Sequence, residues 1–522
     1  MKLEPKAGSR KRGVSQVAVL VSGLLLLSAC SSGATTVAGE APDTDASAAV
    51  AGPTGQIIIA NGEPITGAYY DPHAAFGLVD AQLSSLVFDT LLMMDETGTV
   101  QPNVAESYEQ TSDTEMTLTI RSGIKFHDGS DLTADDVVAS INRLFDPEST
   151  LAQTLLAAPG EAVADGNVVT ITTVKPFGPL ENSLAVIPIV SAEDVANPDN
   201  WNERPNGSGP YVFVSNDGTD IVVEANADYW GESPGIQTVI LRYIEDAQAR
   251  QSALLSGQVD VSTRVGPDEV AGAEGNSDIS IVSNAGPPAQ IVSIWQHNGA
   301  LGDVRVRQAL AYAIDREAIG SSIMRSQNAV GFNSVPTMIP GYKDAANKFS
   351  FDPEKARELL ASAGYNDDLT LTMSTSSLVP KQREIDQAIV AYLNDVGITV
   401  DVTQLEVGEF RTTYGDYDVT LNTLASFNND PSFLLGFYTG GIGQAVFKVD
   451  EPDYGPLFEK QRETVGDARM ARINEASTWV WDNAITGFLS DENWVFLVNN
   501  RVENYVRAPL VGEPLLVRAT VK

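Results

Sequence analysis

Leu118-Thr119-Ile120-Arg121-Ser122-Gly123-Ile124-Lys125-Phe126-His127-Asp128-Gly129, followed closely by Leu132-Thr133-Ala134-Asp135-Asp136-Val137, holds a strand, a turn and a helix start in one short stretch. The β-branched run Met116–Arg121 suits a strand. Asp128-Gly129 suits a tight turn, and Phe126 in that polar turn needs a place to bury its ring. His127 in the same turn reads as a structural residue before it reads as a ligand. Thr133 with Asp136 three residues later has the pattern of a capping box and opens a helix over Ala134–Leu144. A strand handed to a capped helix is a mixed α/β unit.

The same pattern recurs in both directions. Short β-branched runs lie at Gln56–Ala60, Val168–Val174, Tyr211–Val214, Ile221–Ala225 and Thr238–Ile244. Asp246 caps a helix over Ala247–Ser256 that Gly257 closes, with the strand Val259–Ser262 behind it. Asp303 precedes a helix over Val304–Ile314, and Asp352 with Pro353 opens one over Glu354–Ala363 that stops at Gly364. These caps read as structural. Arg305 and Arg307 sit near a helix start, where positive charge opposes the dipole, so both are expected in ion pairs with carboxylates. With 522 residues, 43% hydrophobic and 20% charged, the chain is globular and too long for one core. Two or three α/β lobes are expected.

Charge narrows the function. Lys plus Arg number 33 and Asp plus Glu 69, a formal net charge of −36. Such a chain repels phosphate backbones, which argues against nucleic acid as a partner. One cysteine excludes internal disulfides and multi-cysteine metal clusters, and the three histidines, His73, His127 and His297, fall in no usual ligand spacing. Phosphate-loop, Gly-x-Ser-x-Gly and His-Glu-x-x-His motifs are absent, and Gly440-Gly441-Ile442-Gly443 lacks the third glycine of a dinucleotide fingerprint. Acid pairs are abundant only because the chain is acidic. The weight moves from enzyme to binder, with no cofactor and no metal expected.

The N-terminus gives the address. Lys2, Lys6, Arg10, Lys11 and Arg12 precede an apolar run from Val17 to Leu27, then Ser28-Ala29-Cys30. That run is too short to cross a bilayer core of roughly 30 Å but suits a signal peptide. Small residues before a lone cysteine resemble a bacterial lipobox, so residues 1–29 are expected to be a signal peptide and Cys30 the lipidated first residue. The Ser, Gly, Ala, Thr, Pro and Asp-rich remainder of 30–55 buries too little to fold and is expected to act as a tether. The expected location is the extracytoplasmic face of the cell membrane, held by the lipid.

Further motifs carry a family resemblance. Asp71-Pro72-His73, Phe88-Asp89-Thr90-Leu91-Leu92 and Pro102-Asn103-Val104-Ala105-Glu106-Ser107-Tyr108 lead into the stretch quoted above. Gly207-Ser208-Gly209-Pro210-Tyr211, Asn226-Ala227-Asp228-Tyr229-Trp230, Ala253-Leu254-Leu255-Ser256-Gly257-Gln258-Val259-Asp260, Asp303–Leu310 and Phe351–Leu360 follow in order. The chain resembles the peptide/nickel class of solute-binding lipoproteins of ABC transporters. The resemblance runs from about residue 56 to the C-terminus. It implies a two-lobed periplasmic-binding-protein-like clamshell (type II) with an extra domain on the first lobe. Residues 56–95, 200–285 and 488–522 would form lobe I, 96–199 the extra domain and 286–487 lobe II. It implies a monomer that closes on a peptide or similar small solute and delivers it to a permease, while ATPase partner subunits hydrolyse ATP.

The resemblance also implies site residues. The stretch Asn61–Gly67, with Glu63, Ile65 and Thr66, would lie along the ligand, although Pro64 removes one backbone donor. The family's amine-binding aspartate stands four residues before a proline, where this chain has Phe427. Asn428, Asn429 and Asp430 follow, and Asp430 is either the substitute or a cap before Pro431. Trp295, His297 and Asn298 either face the cleft or, for Trp295, the core of an alternating strand. Nickel binding through His297 or His73 is a minority reading. Two alternatives stay open: a ligand-presenting sensory lipoprotein, and a non-peptide ligand (nickel chelate, opine or oligosaccharide).

Overall fold

The computed structural model describes residues 52–63, 70–73, 78–95, 97–145, 160–202, 204–283, 289–328, 330, 334–337, 339, 349–439, 447–449, 451–507 and 514–522. The expected signal peptide, Cys30 and the tether up to residue 51 lie outside them, as do Ile65 and Thr66. Among the described residues no helix is long and apolar enough to cross a membrane.

Three sheets carry the fold. The first has the strand order Ile279–Val282, Phe496–Asn499, Val261–Ser262, Thr54–Asn61, Ile236–Tyr243, Asp220–Ala225, Tyr211–Asn216. Its centre is parallel: Thr54–Asn61 runs alongside both Ile236–Tyr243 and Val261–Ser262. The second has the order Ile398–Gln404, Leu369–Thr375, Val419–Ala425, Ala289–Trp295, Gly487–Glu492, the first three strands parallel. The third, Ala105–Ser112, Glu115–Ile120, Val168–Thr173 and Gly160–Asp165, is antiparallel and belongs to the segment inserted after the first lobe's opening strand and helix. This is the type II clamshell with its extra domain.

The strands that flank the junction of the lobes pair with one another on both sides of it. Val282 pairs with Phe496 in the first sheet, and Ala289 pairs with Glu492 in the second. The chain returns from the second sheet to the first through Asn493–Val495. Strand Gly487–Glu492 belongs wholly to the second sheet, so lobe II extends past the expected limit at 487 to Glu492.

Local signals position these elements. Asp136 accepts from both the backbone N–H and the hydroxyl of Thr133, at 2.7 and 2.8 Å, and the helix spans Ala134–Leu144. Asp352 accepts from Lys355 N at 2.9 Å, and Gly364 ends that helix at φ 99°, a conformation that costs an L side chain about 1 kcal/mol or more. Asp246 accepts from Ala249 N at 2.7 Å. Arg305 pairs with Asp303 at 2.6 Å and the buried Arg307 with Glu451 at 2.9 Å, as expected. Phe126 is buried, and His127 Nε2 bonds the Gly209 carbonyl at 3.0 Å, so the turn ties the inserted domain to the first lobe.

The dispersed motifs meet at one buried acid. Asp89 accepts from Ser208 Oγ at 2.9 Å, Tyr229 OH at 3.0 Å and Trp230 Nε1 at 2.8 Å. Burial nevertheless raises its pKa to about 6, with the three donors opposing. The motifs hold the scaffold together.

Candidate functional site

In open α/β sheets ligands collect outside the carboxyl ends of parallel strands. Here those ends face each other: Asn61, Tyr243 and Ser262 in the first lobe, Thr375, Gln404 and Ala425 in the second. Between them lies a cavity of about 560 Å³. Its first-lobe wall includes Gly62, Glu63, Arg250, Arg264, Asp268 and Glu269. Ser376–Glu384, Glu406 and Val407 form the opposite wall.

Ion pairs cross the cleft around this cavity. Arg264 leaves the first lobe just after Val261–Ser262, at φ 50°. It reaches Glu492 in the second sheet through Nε at 2.9 Å and Nη2 at 3.1 Å, and Thr423 Oγ1 at 2.7 Å. Its guanidinium also lies 4.9 Å from the ring centroid of Trp494, on the return crossing. Glu63 meets Arg411 of the second lobe at 3.1 Å. Asp268 meets Lys381, at the start of helix Gln382–Asp395, and Arg325 at 2.9 Å. These pairs keep the Asp268 carboxyl below its ordinary range, the Lys381 bond being the largest cause.

Two carboxyls near the cleft are pushed the other way. Asp80, on helix Leu78–Val87, rises to about 7 through burial and then the Glu63 charge, partly offset by Arg411. Asp386, 2% exposed, also rises to about 7 through burial, which neighbouring Thr375 and Gln382 only partly relieve. Neither Asp386 oxygen has a hydrogen bond of sound geometry.

The expected site residues scatter. Glu63 lies in the cleft. Phe427 is half-buried and packs against the apolar clusters of both lobes, its ring 5.2 Å from Phe433. Asn428 turns to the inserted domain: its carbonyl accepts from Asn182 Nδ2 at 3.0 Å and its Nδ2 reaches Ser183 Oγ at 3.5 Å. Asn429, at φ 53°, lies against Gly98 of the same domain.

Asp430 caps a helix. It is 2% exposed, accepts from Ser432 N at 2.8 Å, and both its oxygens hold Arg469 at 2.7 Å. Trp295, His297 and Asn298 stand at the other end of their strand. Strand Ala289–Trp295 starts at the crossing, so Trp295 lies six residues, or about 20 Å, from the cleft end. Trp295 is fully buried and donates to Ser293 Oγ at 3.0 Å. His297 bonds the Ile485 carbonyl at 2.8 Å, and burial, then Arg307, lowers its pKa to about 4. Asn298 is exposed at the same remote end. His73, the other histidine of the nickel reading, is buried against the Pro188 carbonyl at 2.8 Å. Among the described residues no cluster of three or more His, Cys, Asp or Glu has the arrangement of a metal site.

The sequence profile of the bacterial extracellular solute-binding proteins, family 5 (middle region), matches residues 99–445. The chain belongs to this family. Di/tripeptide-binding protein 2 of Pseudomonas aeruginosa is 27% identical over 438 residues, covering 77% of this chain and 81% of that one. Heme-binding protein A of Haemophilus influenzae is 25% identical over 475 residues, 82% and 85% of the two chains. The solved structure of the PBP AgaA from A. tumefaciens R10, in complex with agropinic acid, superposes with a TM-score of 0.80 at 26% identity, covering 90% of this chain and 99% of that one. AppA from Bacillus subtilis, in complex with a nonapeptide, also gives 0.80, at 20% identity and 90% and 99% coverage.

Within the family-5 architecture the charged wall of the cleft was missed at the sequence level. Arg250, Arg264, Asp268, Glu269, Lys381 and Arg411 carry no motif of their own. One signal was available: Gly266-Pro267 opens a helix directly after the strand ending at Ser262, which is where an α/β sheet places a ligand.

Proposed function

We propose that this chain is the lipid-anchored solute receptor of an ABC importer, which grips a peptide or a similar small solute between its lobes and hands it to a permease. The observation that carries this reading is the cavity at the facing carboxyl ends of the two sheets, rimmed by ion pairs that exist only when the lobes approach. Family membership and the peptide-binding relatives support the solute class. Burial of solute and exclusion of water supply the affinity, and the junction between the lobes lets occupancy become a change of shape. The chain performs no bond-making. Cys30 would carry the acyl chain.

A non-peptide solute, such as an opine, is favoured by one observation: Asp430 is already neutralised by Arg469, leaving Phe427 where a free amine would be met. The test is native mass spectrometry of the purified body for a co-purifying solute, with X-ray scattering before and after its removal. A bound solute and a compaction on rebinding are expected. Identical scattering profiles, or solute returned chemically altered, would overturn the reading.

A further inference from the structure

We infer that Arg250 and Glu269 form a two-charge subsite in the first-lobe wall of the cleft, which takes a zwitterionic solute with its carboxylate on Arg250 and its ammonium on Glu269. The inference rests on the cleft being the solute site. The two residues are 8% and 7% exposed, and both line the cavity. Arg250 spends Nη1 on the carbonyls of Ile244 and Glu245, at 2.8 and 2.7 Å, while its buried Nε has no partner. Among the described residues Nη2 has no hydrogen bond within the protein, and it is the nitrogen left to a carboxylate.

Neither residue has an opposite charge within 4 Å among the described residues, although Glu269 exerts the largest favourable field on Arg250. They are therefore a separated pair, near enough to feel each other and too far apart to neutralise each other. Among the other wall charges, Glu63 pairs with Arg411, Asp268 with Lys381 and Arg325, and Arg264 with Glu492, while Asp246 caps the helix that carries Arg250. A buried, uncompensated charge is among the costliest features a fold can carry.

The backbone keeps this room open. A Cβ at Gly62 would stand 2.6 Å from Arg250 Nη1, and one at Gly266 would stand 3.1 Å from Glu269 Oε2. Gln251 Nε2 donates to the Glu269 carbonyl at 2.9 Å, tying the two helices that carry the pair.

The experiment titrates the ligand-stripped protein with alanine, dialanine and trialanine, each as the free zwitterion, the C-terminal amide and the N-acetyl derivative. At least one zwitterion is expected to bind, with both its blocked forms weaker by tenfold or more, on the order of a charged hydrogen bond. Arg250→Gln should erase the preference for acid over amide, and Glu269→Gln the preference for free amine over acetyl. Arg250→Gln gives up two carbonyl bonds and is checked by circular dichroism; Glu269→Gln gives up none and decides the matter if the first fails to fold. Equal binding of free and blocked forms, or unchanged discrimination in a folded variant, overturns the subsite. A co-purified solute with no binding of any probe overturns the subsite and leaves the receptor reading standing. Absence of any bound solute, probe binding or compaction defeats both.

Discussion

Asp430 and Arg469 face each other through two hydrogen bonds of 2.7 Å, with Asp430 2% exposed and Ser432 Oγ completing the Arg469 fork at 2.7 Å. The carboxylate that stands where the sequence invites an amine ligand is thus bound from within. Removing one partner of a buried pair strands the other, at a cost of about 3–5 kcal/mol. Arg469→Met should lower the urea midpoint accordingly, and Asp430→Asn in the same chain should restore part of it. Solute affinity in Asp430→Asn should stay within about twofold of wild type, as for independent sites. A selective loss of binding without loss of stability would return Asp430 to the ligand set.

The Glu63–Arg411 and Asp268–Lys381 pairs are partly exposed, so each should contribute only about 0.2–1 kcal/mol. Arg411→Gln and Lys381→Gln should each speed solute release by up to about fivefold, and by less as salt rises. Stopped-flow dissociation at two ionic strengths checks this. An effect that salt does not touch would place these residues in direct contact with solute instead.

Acid should stabilise the body over a defined window. Asp89, Asp80 and Asp386 have folded-state values near 6, 7 and 7, above the ordinary 3.8. The folded state therefore holds protons that the unfolded chain has already released. The stability these groups contribute is complete below the ordinary value and is lost as pH rises through about 6 to 7. Urea midpoints should fall between about pH 5 and pH 8, and Asp386→Asn should flatten part of that fall. A midpoint that holds or rises across the same range would show that these three acids do not stay protonated in the folded state.

Legibility followed the range of the interaction. The Thr133–Asp136 box, the Asp352 cap and the Gly364 stop are local, and the sequence displays each within a few residues. The Asp89 knot joins residues 119 to 141 positions apart, so only the family pattern hinted that they belong together. The cleft wall was hidden for the same reason: Arg264 meets Glu492 at a separation of 228 residues, and neither side's spacing announces the other. Trp295 was ambiguous because alternation assigns faces without saying that both are buried, or which end of the strand meets the cleft.

That ambiguity yields a paired test. Trp295 is fully buried at the far end of its strand, whereas Phe427 bridges the apolar clusters of both lobes. Trp295→Ala should cost about 3–5 kcal/mol of stability and leave solute discrimination unchanged where the protein is folded. Phe427→Ala removes a half-buried ring that counts fully only when the lobes meet, so its loss should fall on binding, on the order of tenfold. Calorimetric melting and solute titration on the same two variants separate the roles. Were Trp295→Ala to change which solutes bind while Phe427→Ala did not, the far end of the strand rather than its crossing end would be the recognition surface.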